Sequence, residues 1–148
     1  MKCLGSQLVQ KELPVYVIYE DEWVVAILDH APYNEGHALI LPKQHICELN
    51  ELNQHQLLAI GKASQLISEA IQSLYSSDGI TVFQNGGMFN ELNHYHMHLI
   101  PRYKDQNFAD FYTEVHEPEV SKFNFTETML RLRSAIEKEK ANTISRDF

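Results

Sequence analysis

The chain has 148 residues, 44% hydrophobic and 22% charged, with a formal net charge of −8 at pH 7. That length suits one domain with its own core, and the acidic balance argues against a general nucleic-acid or anionic-membrane surface. No apolar run approaches a membrane span and no signal-peptide pattern opens the chain. Its two cysteines, Cys3 and Cys47, fit free thiols in a reducing, cytoplasmic setting.

Residues 1–14 are weakly patterned and end at a Leu13-Pro14 turn. The β-branched and aromatic run at residues 15–19 predicts a strand, and Glu20-Asp21-Glu22 is a connection of hairpin length. A second strand is predicted at residues 23–28, ending at Asp29. The Pro, Asn and Gly of residues 30–36 mark a loop. Residues 37–41 form a third strand, stopped by Pro42, and three strands on short links predict an antiparallel meander. Lys43 and His45 then fall in a solvent-side loop. Ala63, Leu66, Ile67, Ala70, Ile71 and Leu74 make one apolar helical stripe, with Asn53 as cap and Gln56 as its capping-box partner. Ser76-Ser77-Asp78-Gly79 ends that helix, and residues 80–84 read as a fourth strand. Asn85-Gly86-Gly87 opens a loop whose glycines either admit a ligand to the backbone or simply turn the chain. After Arg102 come Phe108, Phe111, Tyr112 and Phe123, read as a tail over the sheet or over a partner subunit. Thr126 caps a final helix with Met129, Leu132 and Ile136 on one face, and residues beyond Lys140 are expected to fray.

The stretch with the clearest chemical content is His94-Tyr95-His96-Met97-His98-Leu99-Ile100-Pro101-Arg102. As a strand it sets three imidazoles on one face, toward a cleft, and Tyr95, Met97 and Leu99 on the other, against a core. A helix would scatter them, because i and i+2 do not share a helical face. Two of these imidazoles with His37 could alternatively meet one zinc ion.

Three motifs in order give the chain its resemblance to the histidine triad (HIT) family, across residues 15–103. They are Tyr19-Glu20-Asp21 with a strand ending at Asp29; the run from Gly36-His37-Ala38 to Pro42-Lys43-Gln44-His45; and His94-x-His96-x-His98-Leu99-Ile100-Pro101-Arg102. The resemblance implies an α+β fold: a five-stranded antiparallel meander sheet with one long central helix and one C-terminal helix. It implies a single domain over residues 1–148, with residues 104–148 as a tail and helix packing on the domain or on a dimer partner.

The implied activity is hydrolysis or transfer at the α-phosphorus of a nucleoside phosphoramidate or dinucleoside polyphosphate, with a purine nucleotide bound. No cofactor or metal is implied, and the protein is expected as a homodimer. His96 would be the nucleophile, forming a nucleotidyl-histidine intermediate, with the His94 carbonyl fixing its tautomer. His98 would meet the phosphate oxygens and His37 would support the cluster. Asn85 and the backbone near Asn90 would donate to phosphate, Asp29 would accept from the ribose hydroxyls, and Ile18 and Ile27 would line the base pocket. The chain departs from the family at Asn90, where Gln is usual, and at Glu91, where Ser or Thr is common. Zinc-binding members carry Cys-x-x-Cys near the start. Here the run is Cys3-Leu4-Gly5-Ser6, so a zinc on Cys3, His45 and His94 would need a substitute ligand. A zinc-binding protein, or a nucleotide sensor silenced by Glu91, are the competing expectations.

Overall fold

The computed structural model describes residues 2–107, 109 and 123–146. In chain order its elements are α1 (Leu4–Val9), β1 (Val17–Glu20), β2 (Val24–Leu28), β3 (Ala38–Pro42), α2 (Gln54–Tyr75), β4 (Gly79–Gln84), β5 (Met97–Arg102) and α3 (Phe125–Arg146). Single 3-10 turns at Leu49–Glu51 and Gly87–Phe89 precede α2 and follow β4. The strands form one antiparallel sheet in the order β1-β2-β3-β5-β4.

Only the first three strands follow one another as a meander. Asp21 closes the first hairpin: its Oδ1 accepts from the Trp23 and Val24 amides at 2.7 and 2.9 Å. After β3 the chain leaves the sheet through α2 and returns on the outer edge as β4, and β5 then fills the place between β4 and β3. The α2 start is the one its sequence announces. Gln56 N–H donates to Asn53 Oδ1 at 2.9 Å, while the Asn53 N–H donates to Gln56 Oε1 at 2.8 Å. Its end is a left-handed residue, Ser76, at φ 47°.

The two faces of the sheet are covered differently. Ala63, Ile67, Ala70 and Ile71 of α2, with Leu132 and Ile136 of α3, bury Val24, Ala26, Ile40, Tyr95 and Leu99. On the other face α1 supplies Leu8 and Val9 against Val25, Ile27, Leu39 and Leu41. Strands β2 and β3 lie between both layers, which is why they read as unbroken apolar runs. No helix among the described residues is long and apolar enough to cross a membrane.

Several expectations change. The weakly patterned N-terminus contains α1. The cap of α3 is Asn124, whose Oδ1 accepts from Glu127 N–H at 3.1 Å, rather than Thr126. The helix continues past Lys140 to Arg146. Phe108, Phe111 and Tyr112 lie outside the described residues. Ile18 and Ile27 sit on opposite faces, because a register shift between Val17 and Tyr19 makes Val17 the partner of Ile27.

A helix as short as α1 has little stability of its own, so its placement depends on docking. Gly5 N–H donates to Leu92 O at 3.1 Å. A Cβ at Gly5 would stand 2.1 Å from the His94 Cβ. Gly5→Ala is therefore expected to destabilise the protein by about 1–3 kcal/mol, the usual range for forced overpacking. Gly61→Ala, at a helical position with nothing within 4 Å, is expected to stabilise it slightly. Urea unfolding of the two variants measures both signs; equal midpoints would show that α1 is not pressed against His94.

Candidate active site

Cross-strand pairing lines up Val17, Ile27, Leu39, His98 and Phe83 across all five strands. The row lies on the α1 side of the sheet. Phe83 stacks on His98 with centroids 4.1 Å apart and planes at 10°. Sequence reasoning passed over Phe83, although its place on β4 directly opposite His98 follows once that strand is registered. The same row makes Val17, Ile27 and Leu39 an apolar floor beside His98, and it takes Ile18 out of that floor.

His94 lies in a bend and His96 just before β5, so neither belongs to the strand, although the side chains around them still alternate. Tyr95 and Leu99 are buried in the α2-side core and Met97 packs against it. The imidazoles do not, however, present one uniform row to a cleft. His94 is fully buried. Its Nε2 lies 2.7 Å from Pro42 O, and its Nδ1 points at Cys3 and Ser6 under α1. His94 thus reaches His96 through its main chain: His96 Nδ1 lies 2.8 Å from His94 O. A carbonyl only accepts, so Nδ1 of His96 carries the proton and Nε2 keeps its lone pair. That Nε2 has no partner among the described residues and is not sealed from solvent, although the residue as a whole is only 4% exposed.

A second proton chain fixes His98. The Tyr33 N–H donates to His37 Nδ1 at 3.1 Å, so His37 is protonated on Nε2. That nitrogen stands 2.9 Å from His98 Nδ1 and donates to it, leaving His98 with an Nε2–H for an anionic oxygen. Burial holds His37 well below the usual histidine range and brings His98 down to about 3, with His96 adding to the fall at His98. Both are neutral donors at neutral pH. Asp29 Oδ1 accepts from Ala31 N–H at 2.9 Å, and its Oδ2 lies 3.4 Å from His37 Nε2 and 3.9 Å from His98 Nδ1. Desolvation raises the Asp29 carboxyl. The closer His98 Nδ1 therefore accepts the hydrogen bond from His37 Nε2–H, and burial outweighs the attraction of the carboxylate.

Of the expected phosphate donors, Asn85 sits half-buried at the end of β4 with its side chain unengaged among the described residues. Asn90 is instead a folding element. Its amide donates to Cys47 O at 3.1 Å, its Oδ1 accepts from Leu92 and His94 N–H at 3.2 and 3.4 Å, and its own N–H donates to Gly87 O. The expectation placed the backbone near Asn90 against phosphate; here the Asn90 N–H and side chain are both engaged and hold the turn into His94. The neighbouring glycine loop is likewise occupied: Gly87 N–H donates to Glu48 Oε1 at 2.8 Å, a contact with no local signal in the sequence. Glu91 is exposed, and close enough to Asp29 to help raise its carboxyl.

Two clusters of metal-capable side chains occur among the described residues: Asp29, His37 and His98, and Cys3, His45 and His94. Neither contains His96 or joins two of the segment's imidazoles, so the expected zinc on two strand histidines with His37 is not built. In the first cluster the two imidazoles are bonded to each other. In the second, Cys3 Sγ lies 3.3 Å from His45 Nδ1 and 3.6 Å from His94 Nδ1, spacings that suit common coordination of one ion.

The antiparallel sheet thus sets His96, with its tautomer fixed, beside the neutral donor pair of His37 and His98. The model of the HIT domain matches residues 10–105, and the chain belongs to the HIT family. It is 36% identical over 104 residues to an uncharacterized HIT-like protein of Methanocaldococcus jannaschii, covering 69% of this chain and 80% of that one. It is 30% identical over 104 residues to the adenosine 5'-monophosphoramidase of Schizosaccharomyces pombe, covering 69% and 75%. Among solved structures, a zinc-bound histidine triad family protein from Mycobacterium smegmatis superposes with a TM-score of 0.76 at 27% identity, covering 96% and 98%.

Proposed function

We propose that this protein is a nucleotide hydrolase that breaks the P–N bond of a nucleoside phosphoramidate at the α-phosphorus, with His96 as nucleophile. The observation that carries the reading is the 2.8 Å contact from His96 Nδ1 to His94 O, with Nε2 left unpartnered. The lone pair of Nε2 attacks phosphorus and a P–Nε2 bond forms. The P–N bond to the leaving amine breaks, and the amine departs with a proton taken up from solvent. Water then attacks the nucleotidyl-histidine, restoring imidazole and releasing nucleoside monophosphate. Splitting one displacement in two lowers each barrier. The neutral His98 Nε2–H and the Asn85 amide donate to the phosphoryl oxygens as charge builds on them. The floor of Val17, Ile27 and Leu39 takes the base, with Asp29 near its rim for the ribose. The name of the S. pombe relative supports the phosphoramidate class.

Glu91 favours that class over dinucleoside polyphosphates. A carboxylate beside Asp29 attracts a cationic or hydrogen-bonding amine and repels a chain of phosphates. Homodimerisation belongs to the same reading: β4 is an open sheet edge, and Val82, Met88 and Phe89 on or beside it are exposed.

Adenosine 5'-phosphoramidate carrying a lysine-like amine and a diadenosine polyphosphate test the assignment side by side. The amine substrate is expected to have the higher kcat/KM, and Glu91→Ser to narrow the ratio by about fivefold, the scale of an exposed charge pair. A polyphosphate preference in the wild type would overturn the leaving-group assignment. Tight binding of adenosine monophosphate with no turnover of either compound would favour a sensor.

A further inference from the structure

The proton order of the His37–His98 pair hangs on one main-chain group, the Tyr33 N–H that donates to His37 Nδ1 at 3.1 Å. The aim of that N–H is set by what holds the loop on either side of it. Upstream, Asp29 Oδ1 accepts from Ala31 N–H at 2.9 Å, and the Pro32 ring fixes its own φ. Downstream, the anchor is Asn34.

Asn34 Nδ2 donates to Pro101 O at 2.7 Å and to Gln106 Oε1 at 2.8 Å, and its Oδ1 accepts from Gln106 Nε2 at 2.8 Å. Both amide hydrogens and the amide oxygen are thus engaged. The ladder between β3 and β5 ends at Ala38 and Leu99, so the Pro101 carbonyl lies past its last pair. The Asn34 amide supplies the donor that the ladder no longer supplies. The main chain of the same residue closes the turn into β3: Asn34 O accepts from His37 N–H at 3.1 Å, through Gly36 at φ 93°. One residue therefore ties the turn that carries His37 to the strand that carries His98. The Arg102 guanidinium, 5.7 Å from the centre of the Tyr33 ring, adds a second tie between the same loop and the same strand.

We propose that Asn34 is a positioning residue for the reaction, keeping the Tyr33 N–H on His37 Nδ1 and thereby the His98 proton on Nε2. It touches no reacting atom. If the loop shifts, His37 Nδ1 loses its donor and can take the proton itself. His37 Nε2 then becomes an acceptor, so His98 Nδ1 must hold the proton, and His98 Nε2 presents a lone pair. That lone pair repels the phosphoryl oxygen that the N–H would bind. The catalytic consequence rests on the proposed role of His98 as phosphate donor, whereas the tautomer is a property of the free protein.

The test uses the full chain with labelled histidine at neutral pH. Long-range proton–nitrogen correlation spectra of the imidazoles identify the protonated nitrogen of each ring without substrate. Wild type is expected to show His37 and His98 each protonated on Nε2. Asn34→Asp keeps the shape and the Gln106 Nε2 contact but loses both donor hydrogens. It is expected to give mixed tautomers at both rings. It is also expected to lower kcat for adenosine 5'-phosphoramidate about tenfold, within the range of up to about 10²-fold that misplacement by about 1 Å costs. KM should change little, since the donated bond strengthens as charge builds on phosphate. Gln106→Ala removes one of the two partners and is expected to shift the tautomers less; it carries the test if Asn34→Asp does not fold. Thr128→Val removes the 2.7 Å bond to Glu35 Oε1 in the same loop. It is expected to lower the urea midpoint while leaving tautomers and kcat as in wild type. A wild-type His37 protonated on Nδ1, or unchanged tautomers in the folded Asn34→Asp and Gln106→Ala proteins, would overturn the proposal. A tautomer shift in Thr128→Val as large as in Asn34→Asp would overturn the assignment to Asn34. Absence of wild-type turnover would sink the reading of His96, while the spectra still decide on Asn34.

Discussion

Replacing His96 by alanine is expected to abolish nucleotide release, lowering kcat by at least about 10³-fold, a conservative bound for loss of a covalent nucleophile. The neighbouring groups remain in that variant: His98 Nδ1 still accepts from His37 Nε2–H, which keeps the His98 proton on Nε2, and the apolar row of Val17, Ile27 and Leu39 is untouched. KM for adenosine 5'-phosphoramidate is therefore expected to change little. The loss should fall almost wholly on kcat, as it does when an interaction made only in the transition state is removed. Acid-quenched single turnovers with a nucleotide labelled at the α-phosphorus provide the second readout. Wild type should carry acid-labile label on His96, and the alanine variant none. A variant within tenfold of wild type, or one still carrying label on a histidine, would place the nucleophile elsewhere. His94→Ala separates two routes to the same loss. It leaves the His94 carbonyl in the chain but removes a ring packed against Gly5 and bonded to Pro42 O. Its defect is expected to include lower stability, which His96→Ala does not share to the same degree.

What could be read from the residues follows the range of the interactions. Asn53 and Gln56 announced the start of α2 because a capping box closes within one turn. The alternation of Tyr95, Met97 and Leu99 against the helices was legible because a strand's faces are set two residues at a time. The pattern could not tell that the alternating run begins before the ladder does, since only Met97 onward pairs with β3 and β4. The role proposed for His96 came from the family resemblance; the geometry then supplied a physical reason for its tautomer. Long-range closure was invisible. Glu48 reaches Gly87 across 39 positions, and Asn90 reaches Cys47 across 43. The two contacts take up the Gly87 N–H, in a loop the residues left open between ligand approach and a simple turn, and the Asn90 side-chain amide, beside the backbone that the resemblance assigned to phosphate. Ile18 left the pocket for a subtler reason: one shift in register moves a side chain to the opposite face. The six residues of α1 carry too little pattern to announce a helix, and their place is decided by Gly5 meeting Leu92 and His94.

Stability is expected to fall steeply once the pH drops below about 6.5, because the His37–His98 pair is kept neutral by burial. His37 lies well below its ordinary value of 6.5, from desolvation first and the neighbouring His98 second. His98 falls to about 3, from desolvation and then from His96. The hydrogen bonds enforce the same state. Protonating His37 on Nδ1 breaks the Tyr33 bond, and a proton on His98 Nδ1 would confront the His37 Nε2–H. Above 6.5 neither the folded nor the unfolded chain binds these protons, so stability is flat. Below it the unfolded chain binds both and the folded chain neither, which costs about 1.4 kcal/mol per pH unit for each histidine, or about 2.7 kcal/mol for the pair. Asp29 acts with the opposite sign. Burial raises its carboxyl, so the folded chain takes up its proton first and recovers part of the loss at lower pH. Against a total stability of about 5–15 kcal/mol, the histidine slope is large enough to dominate acid unfolding. Urea midpoints at pH 7.5, 6.5, 5.5 and 5.0 measure it: no change is expected over the first interval and a marked drop over the next two. His98→Gln, which keeps a side-chain amide beside His37 and cannot titrate, should reduce the drop by about half, since each histidine contributes one proton to the linkage. A midpoint that holds level down to pH 5.0, or a His98→Gln variant as acid-sensitive as wild type, would show that the pair is not what binds protons on unfolding.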